Sequence, residues 1–318
     1  MSAENHKSGS KRALAARLKR LARATLGTTH GRLVVVTLVA LVAVAYAARV
    51  IWRDVGPNVL AGDDYQLTAE RIDVTPPPAW IRSDVKAEVV RDASLDRALS
   101  ILAPDLTERV AAAFKLHPWV EKVTRVSKHY PARVRVEVVY RRPVAMVEFD
   151  TDGARLLPVD AHGVALPGRD FSPVEAATYP RITQIGTVPL GPSGTPWGDE
   201  RVEGAAKIGA ALREAWETLQ LDRIVPVAQG VNDDGHDRPV YELVTRGLSS
   251  GPTRIIWGHA PGQTVTGEMS AAEKVTRLTE YADRHGSLDE PDDGHELDLR
   301  DRGNIVRRRQ AARRDPSP

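Results

Sequence analysis

Residues 33–48, LVVVTLVALVAVAYAA, form an uncharged apolar run of sixteen, and counting on through Arg49 to Trp52 makes twenty. A helix rises 1.5 Å per residue, so about 20 apolar residues cross the roughly 30 Å hydrocarbon layer of a membrane. This segment constrains the chain more than any other, because a helix that is apolar all round needs lipid or protein on every side. Arg49 would sit near the far interface, where its long stem can snorkel, and Trp52 suits the headgroup layer.

The flanks predict a direction. Residues 1–32 carry eight Lys or Arg (Lys7, Lys11, Arg12, Arg17, Lys19, Arg20, Arg23 and Arg32) against one acid, Glu4, and just after the run only Arg53 is basic. Positive residues stay in the cytoplasm, so residues 1–32 are expected inside and everything beyond about residue 53 outside the cytoplasmic membrane. Ala45-Tyr46-Ala47 resembles a small-x-small signal cleavage site, the competing reading. A 32-residue preface and a sixteen-residue core are long for a signal peptide, which favours a retained anchor. The basic head could meet nucleic acid through its charge alone. Next to a span it reads more simply as a topology signal with some attraction to anionic lipid, and no nucleic acid is expected.

Over the whole chain, 42% apolar and 27% charged residues are those of a chain able to build cores, and 318 residues allow about two domains. There is no cysteine, which excludes disulfides, thiolate metal sites and a cysteine nucleophile. Residues 53–64, with Gly56-Pro57-Asn58 and Gly62-Asp63-Asp64, read as a linker. A first strand is expected over Leu67–Val74. A short helix capped by Ser83 comes next, with Val85 and Val89 on one face, and Leu95, Leu99 and Leu102 continue helical spacing. A clearer helix begins at Asp105, where Glu108 three residues on resembles a capping box; Leu106, Val110, Ala113 and Phe114 form its stripe and Pro118 ends it. Strands are expected from Trp119 to about Lys128 and, after Tyr130-Pro131, through Val134, Val136, Val138 and Tyr140, which alternate with Arg133, Arg135 and Glu137. The order is β-α-α-β-β. The remainder reads as short strands at 144–150, 154–159, 181–185, 239–245 and 253–257, helices at 203–219 and 270–284, and surface loops rich in Gly and Pro, especially 186–198.

No motif carries obvious chemistry. Asp233-Asp234-Gly235-His236-Asp237 lacks calcium-loop spacing and reads as a hairpin loop; Asp289-Glu290-Pro291-Asp292-Asp293-Gly294-His295 reads as a solvated charge run. Gly191-Pro192-Ser193-Gly194 misses the spacing of a serine nucleophile elbow. Trp119 and Trp257 read as packing residues. No catalytic activity, metal or cofactor is expected.

The β-α-α-β-β order resembles a POTRA domain. The wording of residues 117–147, with HPWVEKV, YPARVRVEV and Arg141-Arg142-Pro143-Val144-Ala145, is similar to the FtsQ/DivIB family of bacterial cell division proteins. The family usually has a glutamate before the paired arginines, and this chain has Tyr140. LPVDAHG at 157–163, Tyr179-Pro180-Arg181-Ile182, IIWG at 255–258, the helix bearing Glu273, Lys274 and Leu278, and Leu297-Asp298-Leu299-Arg300 occur in the family's order. The resemblance implies an α+β chain: a basic cytoplasmic tail (1–32), a transmembrane helix (33–52), a linker (53–64), a POTRA domain (65–143), a mainly antiparallel β domain with flanking helices (144–309) and a disordered basic tail (310–318).

It also implies function: a single-pass type II inner-membrane scaffold at the division septum, recruiting partners of the FtsB/DivIC and FtsL type without catalysis. Carried over to this chain, the partner-binding residues are Asp298, Leu299, Arg300, Gly303, Asn304, Ile305, Val306 and Arg307. Asn304-Ile305-Val306 is expected to extend the final strand as a sheet edge, and the seven arginines among the last 19 residues favour an acidic partner. Arg141, Arg142 and Pro143 form the expected interdomain hinge. Two alternatives stand beside this reading: another POTRA-bearing envelope assembly factor, which the absence of a subsequent run of membrane strands disfavours, and a membrane-anchored envelope hydrolase.

Overall fold

The computed structural model describes residues 29–60, 62, 64–95, 99–150, 154–227, 238–247, 251–263, 267–289, 295–300 and 305–309. The chain is α+β and divides into two compact units. One comprises the N-terminal region through Leu67 together with Ser100–Leu102 and Tyr130–Ala132; the other holds Thr68–Leu99, Ala103–His129 and everything from Arg133 onward.

The first unit is dominated by helix α1 (Thr29–Leu60), 32 residues and therefore about 48 Å long. Its Val36–Arg53 stretch is the one segment, among the described residues, long and apolar enough to cross a membrane. The Thr37 hydroxyl donates to the Leu33 carbonyl at 2.8 Å, so the polar side chain is satisfied within the helix. The linker expected at 53–64 is helical as far as Leu60. Pro57 withdraws one N–H from the helical ladder without ending it. After β1 (Gln66–Leu67), the Ile101 N–H donates to the Tyr65 carbonyl at 2.9 Å, and the Tyr65 and Tyr130 rings meet edge to face at 6.4 Å.

The second unit contains two sheets. The smaller has three strands, β2 (Ile72–Val74), β4 (Val120–His129) and β5 (Arg133–Tyr140), ordered β2-β5-β4, with α2 (Val85–Asp92) and α3 (Leu106–Lys115) in the intervening chain; β3 (Leu99–Ser100) belongs to a separate two-stranded sheet. β5 runs parallel to β2 and antiparallel to β4. The period-two reading of β5 holds: Val134, Val136, Val138 and Tyr140 are buried, while Arg133, Arg135 and Glu137 are exposed. Leu106, Val110 and Phe114 of α3 and Val85, Val89 and Val90 of α2 add to its core. The capping expectations are only partly met. Asp84, not Ser83, caps α2 by accepting the Ala87 N–H at 3.0 Å, and Asp105 makes no side-chain cap on α3. The single strand foreseen over Leu67–Val74 is interrupted by a 3₁₀ turn at Ala69–Arg71, and Leu99 lies in a strand instead of continuing the helix.

The larger sheet has eight strands: β6 (Pro143–Asp150), β7 (Ala154–Asp160), β8 (Arg181–Ile182), β9 (Leu221–Val227), β10 (Val240–Thr245), β11 (Arg254–Gly258), β12 (His295–Asp298) and β13 (Val306–Arg309). Their order is β13-β12-β11-β10-β9-β8-β6-β7. It is a mixed sheet. The pairs β6/β8, β8/β9 and β11/β12 are parallel, and the other four are antiparallel. Parallel neighbours need long crossovers, which here contain α4 (Pro173–Ala176), α5 (Glu200–Leu212) and α6 (Ala271–His285). β9 was absent from the expected strands because Pro226 and an unbroken buried stretch at Ile224–Pro226 obscure any alternation.

α5 and α6 supply Val202, Ala205, Ile208, Leu212, Leu278 and Tyr281 to the core of this sheet. Gly204 permits the close approach of α5, since a Cβ there would lie 2.0 Å from the Tyr241 hydroxyl oxygen. α5 stops at Leu212, short of the expected 219, but Trp216 and Leu219 in the next turns remain buried. The two edges differ. Along the C-terminal half of β7 the chain folds back, the Asp160 N–H donating to the Val164 carbonyl at 3.1 Å and the Leu166 N–H to the Pro158 carbonyl at 2.8 Å. No strand flanks the outer side of β13 among the described residues.

Candidate functional site

The candidate site is the C-terminal edge of the large sheet. β12 pairs in parallel with β11, Ile255 opposite Leu297 and Ile256 opposite Asp298, and antiparallel with β13, Leu297 opposite Arg307 and Asp298 opposite Val306. The predicted partner-binding residues therefore fall into two groups. Asp298 and Leu299 are buried, and the Leu299 N–H donates to the Ile256 carbonyl at 3.0 Å. Arg300 folds back on Asp298, its Nε and backbone N–H each donating to Oδ1 at 3.0 Å and its Nη2 to Oδ2 at 2.8 Å. These three residues fasten the strand into the fold. Ile305 packs at the core margin, and Val306 and Arg307 form the outermost strand. Gly303 and Asn304 lie outside the described residues. The edge strand is thus β13 itself, a separate strand and not an extension of β12.

Beneath β11 and β12 lies a buried charge network that the sequence reading did not foresee. Lys274 of α6 is buried; its ammonium donates to the Trp257 carbonyl at 2.6 Å, pairs with Glu268 and sits 5.0 Å from the centre of the Trp257 ring. Glu268 also accepts the His259 backbone N–H at 2.8 Å and faces His259 Nδ1 at 2.7 Å. Burial opposes ionisation of Glu268, yet the bonds from Lys274 and His259 hold its carboxyl below the ordinary range. Gly258 is required here: at φ +92° a Cβ would stand 2.2 Å from Glu268 Oε1. The signals in sequence were Trp257-Gly258 and Glu273-Lys274, which point to packing only once α6 is laid across β11. At its N-terminus Ser270 and Glu273 form a reciprocal capping box.

The predicted hinge is tightly held. The Arg141 N–H donates to the Trp119 carbonyl at 2.8 Å, and its Nη1 donates to Asp160 Oδ2 at 2.6 Å with both side chains largely buried. Asp160 is the acid of the Leu157–Gly163 motif; its Oδ1 accepts the backbone N–H groups of His162 and Val164 at 2.9 and 3.0 Å. Pro143 opens β6, and the Arg142 guanidinium lies 5.5 Å from the centre of the Trp80 ring. Nearby, the buried Asp170 accepts the Ser83 N–H and hydroxyl, each at 3.0 Å, and the Trp119 indole N–H at 2.5 Å. Trp119 and Trp257 are both fully buried. Of the acidic stretches, 233–237 and 290–294 lie outside the described residues, while Asp289 is buried and accepts the Thr245 hydroxyl at 2.5 Å.

At this junction the surroundings also act on the ionisation of His117. His117 Nδ1 accepts the Trp119 N–H at 3.3 Å, and Nε2 faces Glu88 at 3.2 Å, where Arg169 also binds at 2.6 Å. Burial, then the Arg169 charge, pushes His117 below its ordinary 6.5 against the pull of Glu88. The unfolded chain therefore binds the proton more readily, so this group's contribution to stability is full above pH 6.5 and declines as pH falls below it. Urea unfolding of the full chain in detergent should show that loss between about pH 7.5 and 5.5, with a shallower slope in His117→Gln. An unchanged slope would remove His117 as its source.

No family model and no curated protein matches this chain.

Proposed function

We propose that this protein is a non-catalytic, membrane-anchored scaffold of the bacterial division machinery, of the FtsQ/DivIB type. In this reading residues 65–143 are a POTRA domain, residues 144–309 are the family's β domain, and α1 is a single inner-membrane anchor with its N-terminus in the cytoplasm. The observation that carries the proposal is the position of Val306–Arg309 at the edge of the large sheet. An edge strand offers backbone N–H and C=O groups to an extended partner segment, and strand addition then gives affinity through main-chain hydrogen bonds. The consecutive Arg307, Arg308 and Arg309 favour an acidic segment, here from a small coiled-coil membrane protein of the FtsB/DivIC type, with an FtsL-type protein in the same assembly.

A truncation that tests the edge has to spare the core. Leu297 and Leu299 are buried, so deleting 297–309 would damage the core as well as the edge. A chain ending at Ile305 removes β13 and leaves β12 in place; a chain ending at Arg309 keeps β13 and lacks only residues 310–318. Co-purification from membranes should lose the FtsB/DivIC-type partner with the first and keep it with the second. Equal capture by both would overturn the assignment of the edge as the binding site.

A further inference from the structure

A second surface departs from ordinary charge pairing. A groove of about 190 Å³ opens where β6 begins, walled by Trp80, Pro143, Pro180 and Trp216. Arg142 and Arg213 both line it, and among the described residues neither guanidinium has a carboxylate within ion-pairing distance. Arg142 is steadied by the face of Trp80, whose indole N–H donates to the Arg141 carbonyl at 3.2 Å. The neighbouring acids are mostly engaged. Glu217 gives both oxygens to Arg246 at 2.8 and 3.0 Å, and Glu175 holds Arg82 and the Ser172 N–H. Glu214 attracts Arg213, and Tyr179 presents a neutral ring. Partial burial, and next the charge of Arg142, lowers the proton affinity of the Arg213 guanidinium. Among the described residues the two cations thus line one groove with no carboxylate in ion-pairing reach of either.

We propose that this groove receives an acidic extended segment of a partner protein, its carboxylate between Arg142 and Arg213 and a neighbouring proline or leucine against the Trp80 and Trp216 walls. Planar guanidinium groups match a carboxylate in fork geometry, and removing water from both charges at an apolar wall strengthens the contact. The volume fits one or two side chains and lies below the range usual for small-molecule sites, about 300–1,000 Å³. The apolar walls favour a peptide over a bare phosphate or a lipid headgroup, neither of which uses them. None of these residues belongs to β13, so the groove is independent of the edge-strand reading.

The test uses the full chain in detergent and a fluorescein-labelled, end-blocked peptide of glutamate alternating with proline and leucine, monitored by fluorescence anisotropy. Saturable, salt-sensitive binding is expected, weakened about tenfold by R142Q or R213Q and retained in part by R142K. Thermal midpoints of the variants should match the parent, because both side chains are exposed. The chain ending at Ile305 should bind this peptide normally, which separates failure here from failure of the division-scaffold proposal. Absence of saturable binding, or binding unchanged in the R142Q/R213Q double variant, would overturn the proposal. So would displacement of the peptide by an equal concentration of inorganic phosphate or of anionic lipid vesicles, which would mark a general anion or membrane contact.

Discussion

Trp119→Ala is expected to destabilise the second unit by about 3–5 kcal/mol, the range for deleting a buried tryptophan. The indole is fully buried, packs near Phe171 with ring centres 6.2 Å apart and gives its N–H to Asp170. Trp119→Phe separates the contributions: it keeps most of the apolar volume but withdraws one donor from a buried carboxylate, at a cost of about 1–3 kcal/mol. Asp170 would retain the Ser83 N–H and hydroxyl, so the phenylalanine variant should fold. The readout is the thermal midpoint of the full chain in detergent, expected to fall by roughly 2–4 °C for each kcal/mol lost. Similar midpoints for the alanine variant and the parent would show that this interface contributes little.

The second large effect is expected at Lys274. Lys274→Met removes one partner of a buried ion pair and leaves Glu268 ionised against an apolar neighbour, at about 3–5 kcal/mol. Adding Glu268→Gln should recover most of the loss, because the neutral amide can still accept the His259 N–H. The pH dependence provides a separate check. In the parent, Glu268 lies below its ordinary 4.5, so its stabilisation is present above pH 4.5 and declines as pH falls through the depressed value. Without Lys274, burial is opposed by the His259 bonds alone, so that carboxyl rises from its depressed value and protonation on acidification relieves the folded state. The stability gap between Lys274→Met and the parent should therefore narrow toward about pH 4. A gap that stays constant with pH would mean that the loss is one of packing and not of charge.

The contrast between these residues and those read directly from sequence is physical. Val134 to Tyr140 announce themselves because alternation is local, and residues 33–52 because length and charge are local. Asp170 is visible only through Ser83 and Trp119, 87 and 51 positions away, and nothing near it in sequence marks it as buried. The direction of β8, β9 and β12 depends on crossovers through helices, which periodicity does not encode. Asp298 closes β12 and Leu299 lies just past it, and their burial arises from β12 being flanked on both sides. Arg142 and Arg213 lie 71 positions apart, so only the fold brings their charges to one groove.

The unequal edges of the large sheet also limit how copies of the chain can combine. A ribbon with two bare sides can stack head to tail without end and grow into a fibril. Here the returning backbone at Val164–Leu166 blunts the C-terminal half of β7, whereas among the described residues no strand flanks β13. A twin meeting β13 edge on edge would use that edge on both copies at once and close as a pair instead of growing onward.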